Sequence, residues 1–341
     1  MAMEKKSRAR WVLPGLGVLL IFLMLAAAGV GRYMVPFDKV VSILSSVIFN
    51  VEQHWTDVEQ TVVLNIRMPR IILAILIGAG LSVSGVALQA LFANPLVSSH
   101  VLGVSYGAGF GAAIGILLSE NHLFIQGMAI VFGMVAIALT YSISKTGKGT
   151  QLYMLVLAGV IVGALFQALI SLIQYVADPE EKLPSIVYWL MGSLGGTSLK
   201  DLRLGIPLIG VGILIIFAIR WHLNVLSLPE EEARSMGVNL KLLRGLIIIA
   251  TTVITAVAVS LSGIIGFVGL VIPHFARMVV GHEHRVLVPV TILMGGIYLL
   301  LIDTIARSAT AAEIPLSILT AIVGAPFFAV LLRRTGGGWH D

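Results

Sequence analysis

Few segments of this 341-residue chain carry residue types that could do chemistry. His282-Glu283-His284 holds two possible zinc ligands but lacks the i, i+4 histidine spacing of a helical zinc site. The segment 145–150 (KTGKGT) contains phosphate-loop residues, yet the earlier glycine of such a loop is absent. We interpret both as solvated turns. The sequence therefore predicts no metal site, no resident cofactor and no catalysis in this chain.

Ionisable residues inside apolar runs are the next candidates. His274 and Arg277 lie in one such run, and Asp303 and Arg307 lie near the end of another. No Asp or Glu falls in the middle of a predicted membrane span, where ion-driven carriers usually bind their coupling ion. We therefore expect the driving energy of this protein to come from a partner.

The elements that position these residues follow from composition. Apolar residues make up 58% of the chain and charged residues 11%, which leaves too few polar side chains for a water-facing surface. A soluble enzyme or binding module is excluded. The net charge of +5 reflects basic loops of a membrane protein, so we predict no nucleic-acid partner.

The apolar runs predict an all-α polytopic membrane protein with about ten transmembrane helices in a single domain, residues 1–341. The uncharged stretch before Arg277 is too long for one crossing and is expected to break at Ser262-Gly263. The basic N-terminus and the positive-inside rule place both termini in the cytoplasm, with the chain in the cytoplasmic (inner) membrane. The predicted spans are Trp11–Gly31, Arg70–Ala93, Val101–Leu118, Leu123–Ile143, Gln151–Val176, Leu204–Ile219, two within Leu242–Gly281, Val286–Ile305 and Ile314–Leu332.

Smaller features complete this layout. Residues 37–51 and Tyr188–Gly192 are predicted to form short helices on the outer face. Ser84-Gly85 and Ser262-Gly263 are each followed ten residues after the glycine by a proline, which indicates an inverted internal repeat. A glycine in every fourth position should let one span pack closely on its neighbours, at Gly103, Gly107, Gly111 and Gly115.

Five segments carry a resemblance to a known family. They are RMPR at 67–70, SGVALQALFANPL at 84–96, LPEEEARSMGV at 228–238, SGIIGFVGLVIPHFAR at 262–277 and EIPLSILTAIVGAPFF at 313–328. In this order they resemble the permease subunits of type II ABC importers, which take up ferric siderophores, haem and vitamin B12. The resemblance covers about residues 60–332.

The resemblance implies ten spans per subunit and a set of partners: a second permease copy, two ATP-binding subunits that hold ATP and Mg²⁺ on the cytoplasmic side, and an extracytoplasmic substrate-binding protein. Residues 228–240 would form the coupling segment that docks on the ATPase, with a turn at Gly237 between two short helices. The coupling residues would be Pro229, Glu230, Glu231, Glu232, Ala233, Arg234 and Gly237.

Two further sets of residues follow from the resemblance. Arg67, Arg70 and Arg307 would form a permanent cationic cluster on the solvent-exposed outer rim and bind glutamate side chains of the binding protein. Otherwise these arginines anchor the protein at the membrane interface. A translocation path at the subunit interface would be lined by Gln167, Ser171, Gln174, Tyr188 and Trp189.

We expect the cargo to be an iron chelate. Vitamin B12, haem or a molybdate-type oxyanion remains an alternative cargo for the same architecture. An ion-coupled secondary transporter or an intramembrane hydrolase is the alternative from another class, and would need a buried carboxylate, a metal cluster or a nucleophile pair. Transport without an ATPase would favour the carrier.

Overall fold

The structure is a computed structural model that describes residues 2–146, 149–150, 152–228 and 230–335. This part of the chain is almost entirely helical. Two antiparallel strands of two residues each pair Lys145 with Thr150 and Thr146 with Gly149. The α-helices, numbered α1 to α14, are Ala2–Gly29, Phe37–Ser46, Asp57–Thr61, Met68–Leu91, Val104–Leu118, His122–Ser144, Leu152–Val176, Lys182–Met191, Leu199–Ile219, Glu230–Ser235, Leu240–Ser262, Val268–Val280, His284–Ser308 and Leu316–Thr335.

Ten of these helices coincide with the predicted spans. Within the described residues, seven helical stretches are long and apolar enough to cross a membrane. Three shorter apolar helices accompany them, Val104–Leu118, Val268–Val280 and Leu316–Val330. The prediction of an all-α polytopic membrane protein is confirmed, and the count of ten holds only if the three short helices are included.

The predicted break between α11 and α12 is present. Helix α11 ends at Ser262, and Gly263 adopts φ +70°, a left-handed conformation that a side chain strongly disfavours. A Cβ atom at Gly263 would also lie 2.2 Å from the carbonyl oxygen of Trp189. The chain therefore reverses here against α8, which is why the long apolar stretch forms two helices.

The internal repeat is visible in the similar lengths of two sets of three consecutive helices, and not in the Ser-Gly motif from which it was predicted. Helices α4, α5 and α6 have 24, 15 and 23 residues, and α11, α12 and α13 have 23, 13 and 25. Both short helices follow a left-handed residue, Gly103 or Phe267. The two Ser-Gly pairs are not equivalent, however: Ser84-Gly85 lies inside α4, whereas Ser262-Gly263 ends α11.

Helix α4 forms the centre of the bundle and packs against α9, α11, α12 and α13. Glycine allows these contacts: a Cβ atom at Gly85 would lie 1.9 Å from the carbonyl oxygen of Gly269 in α12. In α5, the glycines 107, 111 and 115 face the backbone of α6 in the same way. Gly103 instead precedes α5 and approaches Gly159 of α7.

The predicted interfacial helices are α2 and α8. Helix α2 is shorter than expected and ends at Ser46. It is tied to the capped start of α3 by an ion pair of 2.8 Å between Lys39 Nζ and Glu59 Oε1.

Candidate functional site

Arg70 is the hub of an ion-pair network at the start of α4. Its Nη2 atom lies 2.8 Å from Asp303 Oδ1 of α13, and its Nη1 atom lies 2.8 Å from Glu313 Oε1 in the loop before α14. A second bond of 3.0 Å joins Nη2 to Glu313 Oε2, which completes a bidentate pair. Asp303 has no solvent exposure. The network therefore holds α4, α13 and the start of α14 together.

The charge state of Glu313 agrees with this pairing. Burial opposes its charge, but the hydrogen bond and the positive charge of Arg70 outweigh that effect and lower the pKa of Glu313. Glu313 is therefore a carboxylate at neutral pH.

Arg67 and Arg307 cap the end of α1. Arg67 Nη1 donates to the carbonyl oxygen of Ala28 at 2.6 Å, and Arg307 Nη1 donates to that of Val30 at 2.7 Å. The last carbonyl groups of a helix have no partner within the helix and form the negative end of its dipole. Two guanidinium groups thus satisfy acceptors that would otherwise be unpaired.

The placement of these arginines corrects part of the sequence interpretation. Arg67 is 5% exposed, and Arg70 and Arg307 are each 8% exposed, so none of them stands free at a wet rim. Their hydrogen bonds run to carbonyl and carboxylate groups of this chain. Arg32, which the sequence interpretation did not single out, is exposed, and its positive charge acts on Glu313. A role of the three arginines in docking a binding protein stays a prediction.

We expect Arg67→Gln to loosen the end of α1. Loss of a hydrogen bond to a charged group is worth about 1.5–3 kcal/mol, or roughly tenfold or more in local opening. Hydrogen exchange of the amides of residues 27–33 should rise accordingly. Arg32→Gln, a change of the same charge at an exposed position, should leave it unchanged; equal exchange in both variants would contradict the capping role.

A cavity of about 750 Å³ opens at the same end of the bundle as Arg70. Tyr188 and Trp189 of α8 line it, as do the Ser262-Gly263 break and Glu313. Gln167, Ser171 and Gln174, the other predicted path residues, do not line it. They belong to α7, where Gln167 and Ser171 are exposed and Gln174 is half-buried.

A buried carboxylate beside this cavity was missed by the sequence interpretation. Asp201 in the first turn of α9 is 4% exposed and accepts a hydrogen bond of 2.7 Å from Gln126 Nε2. Its Oδ1 atom lies 3.5 Å from Nε2 of His122, which lines the cavity. The signal was Ser198 three residues before Asp201, a capping box that starts the helix earlier than predicted.

The coupling segment lies at the opposite end of the bundle. A 3₁₀-helix, His222–Ser227, precedes α10. Gly237 has φ +75°. Asn239 then caps α11, because its Oδ1 atom accepts a hydrogen bond of 3.1 Å from the Leu242 amide. The Gly237 turn thus joins α10 to the long helix α11 and not to a second short helix.

Ala233 attaches α10 to the bundle. Its side chain is 1% exposed and packs with Val225 of the 3₁₀-helix and Leu240 of α11. Glu231 and Glu232 are exposed on the other face. Of the other predicted coupling residues, Pro229 lies outside the described residues, and the side chains of Glu230 and Arg234 are likewise not described.

Comparisons with known proteins agree with this arrangement. The FecCD transport family matches residues 19–334. The molybdate import system permease protein MolB of Haemophilus influenzae is 42% identical over 327 residues, which cover 96% of each chain. A probable iron chelatin transport system permease protein of Helicobacter pylori is 40% identical over 296 residues, covering 85% of this chain and 90% of the relative.

A solved structure is similar along nearly the whole chain. It is a metal-chelate type ABC transporter in an inward-facing conformation, with a TM-score of 0.85 and 42% identity over 95% of this chain and 99% of that one. A family match over most of the sequence and a shared fold together decide the assignment. The chain is an integral inner-membrane protein and belongs to the FecCD transport family of ABC permeases.

Proposed function

We propose that this protein is the permease subunit of a binding-protein-dependent ABC importer that moves an iron chelate, a ferric siderophore, by alternating access. One observation carries the proposal: α11 runs from the coupling segment to the cavity. It begins after Asn239, beside α10, and ends at Ser262, which lines the cavity. Its 23 residues span about 34 Å, so a tilt imposed at α10 reaches the cavity through one rigid helix.

The partners follow from this mechanism. Two ATP-binding subunits in the cytoplasm would bind α10 and move together when they bind ATP and Mg²⁺. A binding protein would deliver the cargo on the outside. The chain has no nucleotide site of its own in this proposal, and both termini are cytoplasmic.

Helix α7 supports assembly with a second copy of the chain. Gln167, Ser171 and Gln174 follow one another at i, i+4 and i+7, which places them on one helix face. Polar groups on a lipid-facing helix are unfavourable, because hydrocarbon offers them no hydrogen-bond partner. In a homodimer this face would line the cargo path together with Tyr188 and Trp189.

Charge favours a chelate over a bare oxyanion as cargo. The cavity is lined by three carboxylates, Glu120, Glu181 and Glu313, against Lys182 and His122. Arg70 neutralises Glu313, and Lys182 Nζ lies 3.7 Å from Glu120 Oε1, so Glu181 is the carboxylate of the lining without an ion pair among the described residues. A small dianion would be repelled there. Molybdate is the second candidate, favoured by the relative named for molybdate import.

Uptake by the assembled transporter tests the cargo. The full importer, with its ATPase and binding protein, is placed in proteoliposomes and supplied with radiolabelled ferric siderophore, haem, cobalamin or molybdate, each with ATP inside. We expect accumulation of the ferric chelate alone. Accumulation of molybdate instead would overturn the chelate proposal while leaving the importer mechanism intact.

A further inference from the structure

A second cavity lies at the coupling end of the bundle and plays no part in the proposed cargo path. Its volume is about 360 Å³, and it lies between the end of α4, the 3₁₀-helix His222–Ser227 and the helices α12 and α13. Gln89 in α4 is 19 residues after Arg70, which puts this cavity about 28 Å from the arginine network. The two cavities are therefore separate sites.

The polar lining of this cavity consists of one guanidinium cation, three imidazoles and neutral amide and hydroxyl groups. Arg277 of α12 supplies a guanidinium group, and three imidazoles accompany it, His274, His282 and His284. Gln89, Asn94, Asn224 and Ser227 complete the polar part. No Asp or Glu lines the cavity within the described part of the chain; Glu283 lies between two of the histidines in sequence but not in the lining.

Arg277 is held in place by a group that does not neutralise it. Its Nη2 atom donates to Oε1 of Gln89, and Gln89 Nε2 in turn donates to the carbonyl oxygen of Gly269 at 3.3 Å. No carboxylate of the described residues lies within ion-pair distance of Arg277. A partly buried guanidinium without a counter-charge is unfavourable, since buried charges are normally paired.

The neighbouring groups are oriented so that donors remain available. Asn224 Oδ1 accepts from both the backbone nitrogen and Nδ1 of His284, at 3.0 and 2.8 Å. Asn94 Oδ1 accepts from the Leu96 amide at 2.9 Å. With both amide oxygens engaged, the NH₂ groups of these two side chains are left to donate.

The geometry points to an anion-binding site in this cavity, for one tetrahedral oxyanion of the phosphate type, either a free ion or the headgroup of an anionic lipid. Arg277 would supply the charge-assisted bonds, and the amide groups of Asn94 and Asn224 and the ring N–H of His274 the remaining donors. Asn224 and Ser227 belong to the 3₁₀-helix that leads into α10. An anion bound here therefore bridges α12 and the coupling segment.

Calorimetric titration of inorganic phosphate into the full chain tests whether the ligand is a free ion. The protein is held in nanodiscs of phosphatidylcholine alone, which carry no competing anionic lipid. We expect saturable binding of one ion per chain, and Arg277→Gln should weaken it by at least about tenfold, because a hydrogen bond to a charged group contributes about 1.5–3 kcal/mol. Arg285→Gln removes the same charge at the same end, from an exposed side chain outside the cavity lining, and should change it less than about twofold.

Native mass spectrometry of the chain purified with phosphatidylglycerol tests the lipid arm. If the ligand is a headgroup, one phosphatidylglycerol remains bound and is lost in Arg277→Gln but not in Arg285→Gln. Should Arg277→Gln fail to fold, His274→Gln, whose ring contacts only Phe327 among the described aromatic residues, decides by the same readouts. The proposed site is wrong if the protein binds neither phosphate nor phosphatidylglycerol. It is also wrong if neither Arg277→Gln nor His274→Gln weakens the binding.

Discussion

Replacing Arg70 by Met is expected to destabilise the folded protein by about 3–5 kcal/mol, the cost of leaving a buried charge without its partner. Asp303 has no exposure, and its carboxylate is bonded to Arg70 by Nε at 2.9 Å as well as by Nη2. Water cannot reach it to replace these bonds. Unfolding of the detergent-solubilised chain in a denaturant series measures the loss.

Two further variants make this test specific to the ion pair. Arg203→Met removes an exposed arginine of α9 and should change stability by less than about 1 kcal/mol. Adding Asp303→Asn to Arg70→Met should recover part of the loss, because a buried amide is less costly than a buried carboxylate. If Arg70→Met and Arg203→Met unfold alike, the network does not hold these helices together.

Gly85→Ala should be nearly as damaging, although it adds a single methyl group. The new Cβ atom would meet the backbone carbonyl of Gly269 at 1.9 Å, and backbone cannot move aside as a flexible side chain can. Helices α4 and α12 would have to separate, at a cost of about 1–3 kcal/mol or more. The midpoint of thermal unfolding and the yield of folded protein measure this effect.

The matched controls are glycines in helices with open space around them. Gly127 in α6 and Gly245 in α11 have no heavy atom within 4 Å of a built Cβ. Alanine there should be neutral or stabilising by up to about 1 kcal/mol, because alanine favours the helix more than glycine does. A Gly85→Ala variant as stable as these controls would contradict the close packing of α4 on α12.

The helices could be predicted from the sequence because each is a local pattern. About twenty consecutive apolar residues predict a span, and the length of the stretch before Arg277 required two crossings, with Ser262-Gly263 as the expected break. The type II importer family could be identified because five motifs occur in order. The shared Gly-to-Pro spacing of the two repeat motifs does not mark equivalent positions in the fold. Ser84-Gly85 lies within a helix, whereas Ser262-Gly263 ends one.

The environment of the arginines could not be predicted in the same way. Arg67 bonds to residues 38 and 39 positions before it, and Arg70 to carboxylates 233 and 243 positions after it. These partners are brought together only by the packing of α1, α4 and α13. An arginine near a helix end is compatible with an exposed rim or a buried cap, and only tertiary structure distinguishes the two.

Whether a cytosolic ATPase drives this permease is tested most directly by uptake of labelled ferric chelate into proteoliposomes, with the permease reconstituted alone or with its ATPase. We predict that accumulation requires the ATPase and internal ATP. We also predict that it is lost in Ala233→Arg, which displaces α10 from Val225 and Leu240, but retained in Met236→Arg at an exposed position of the same segment. Accumulation by the permease alone, with an ion gradient and no ATPase, would contradict the proposed mechanism.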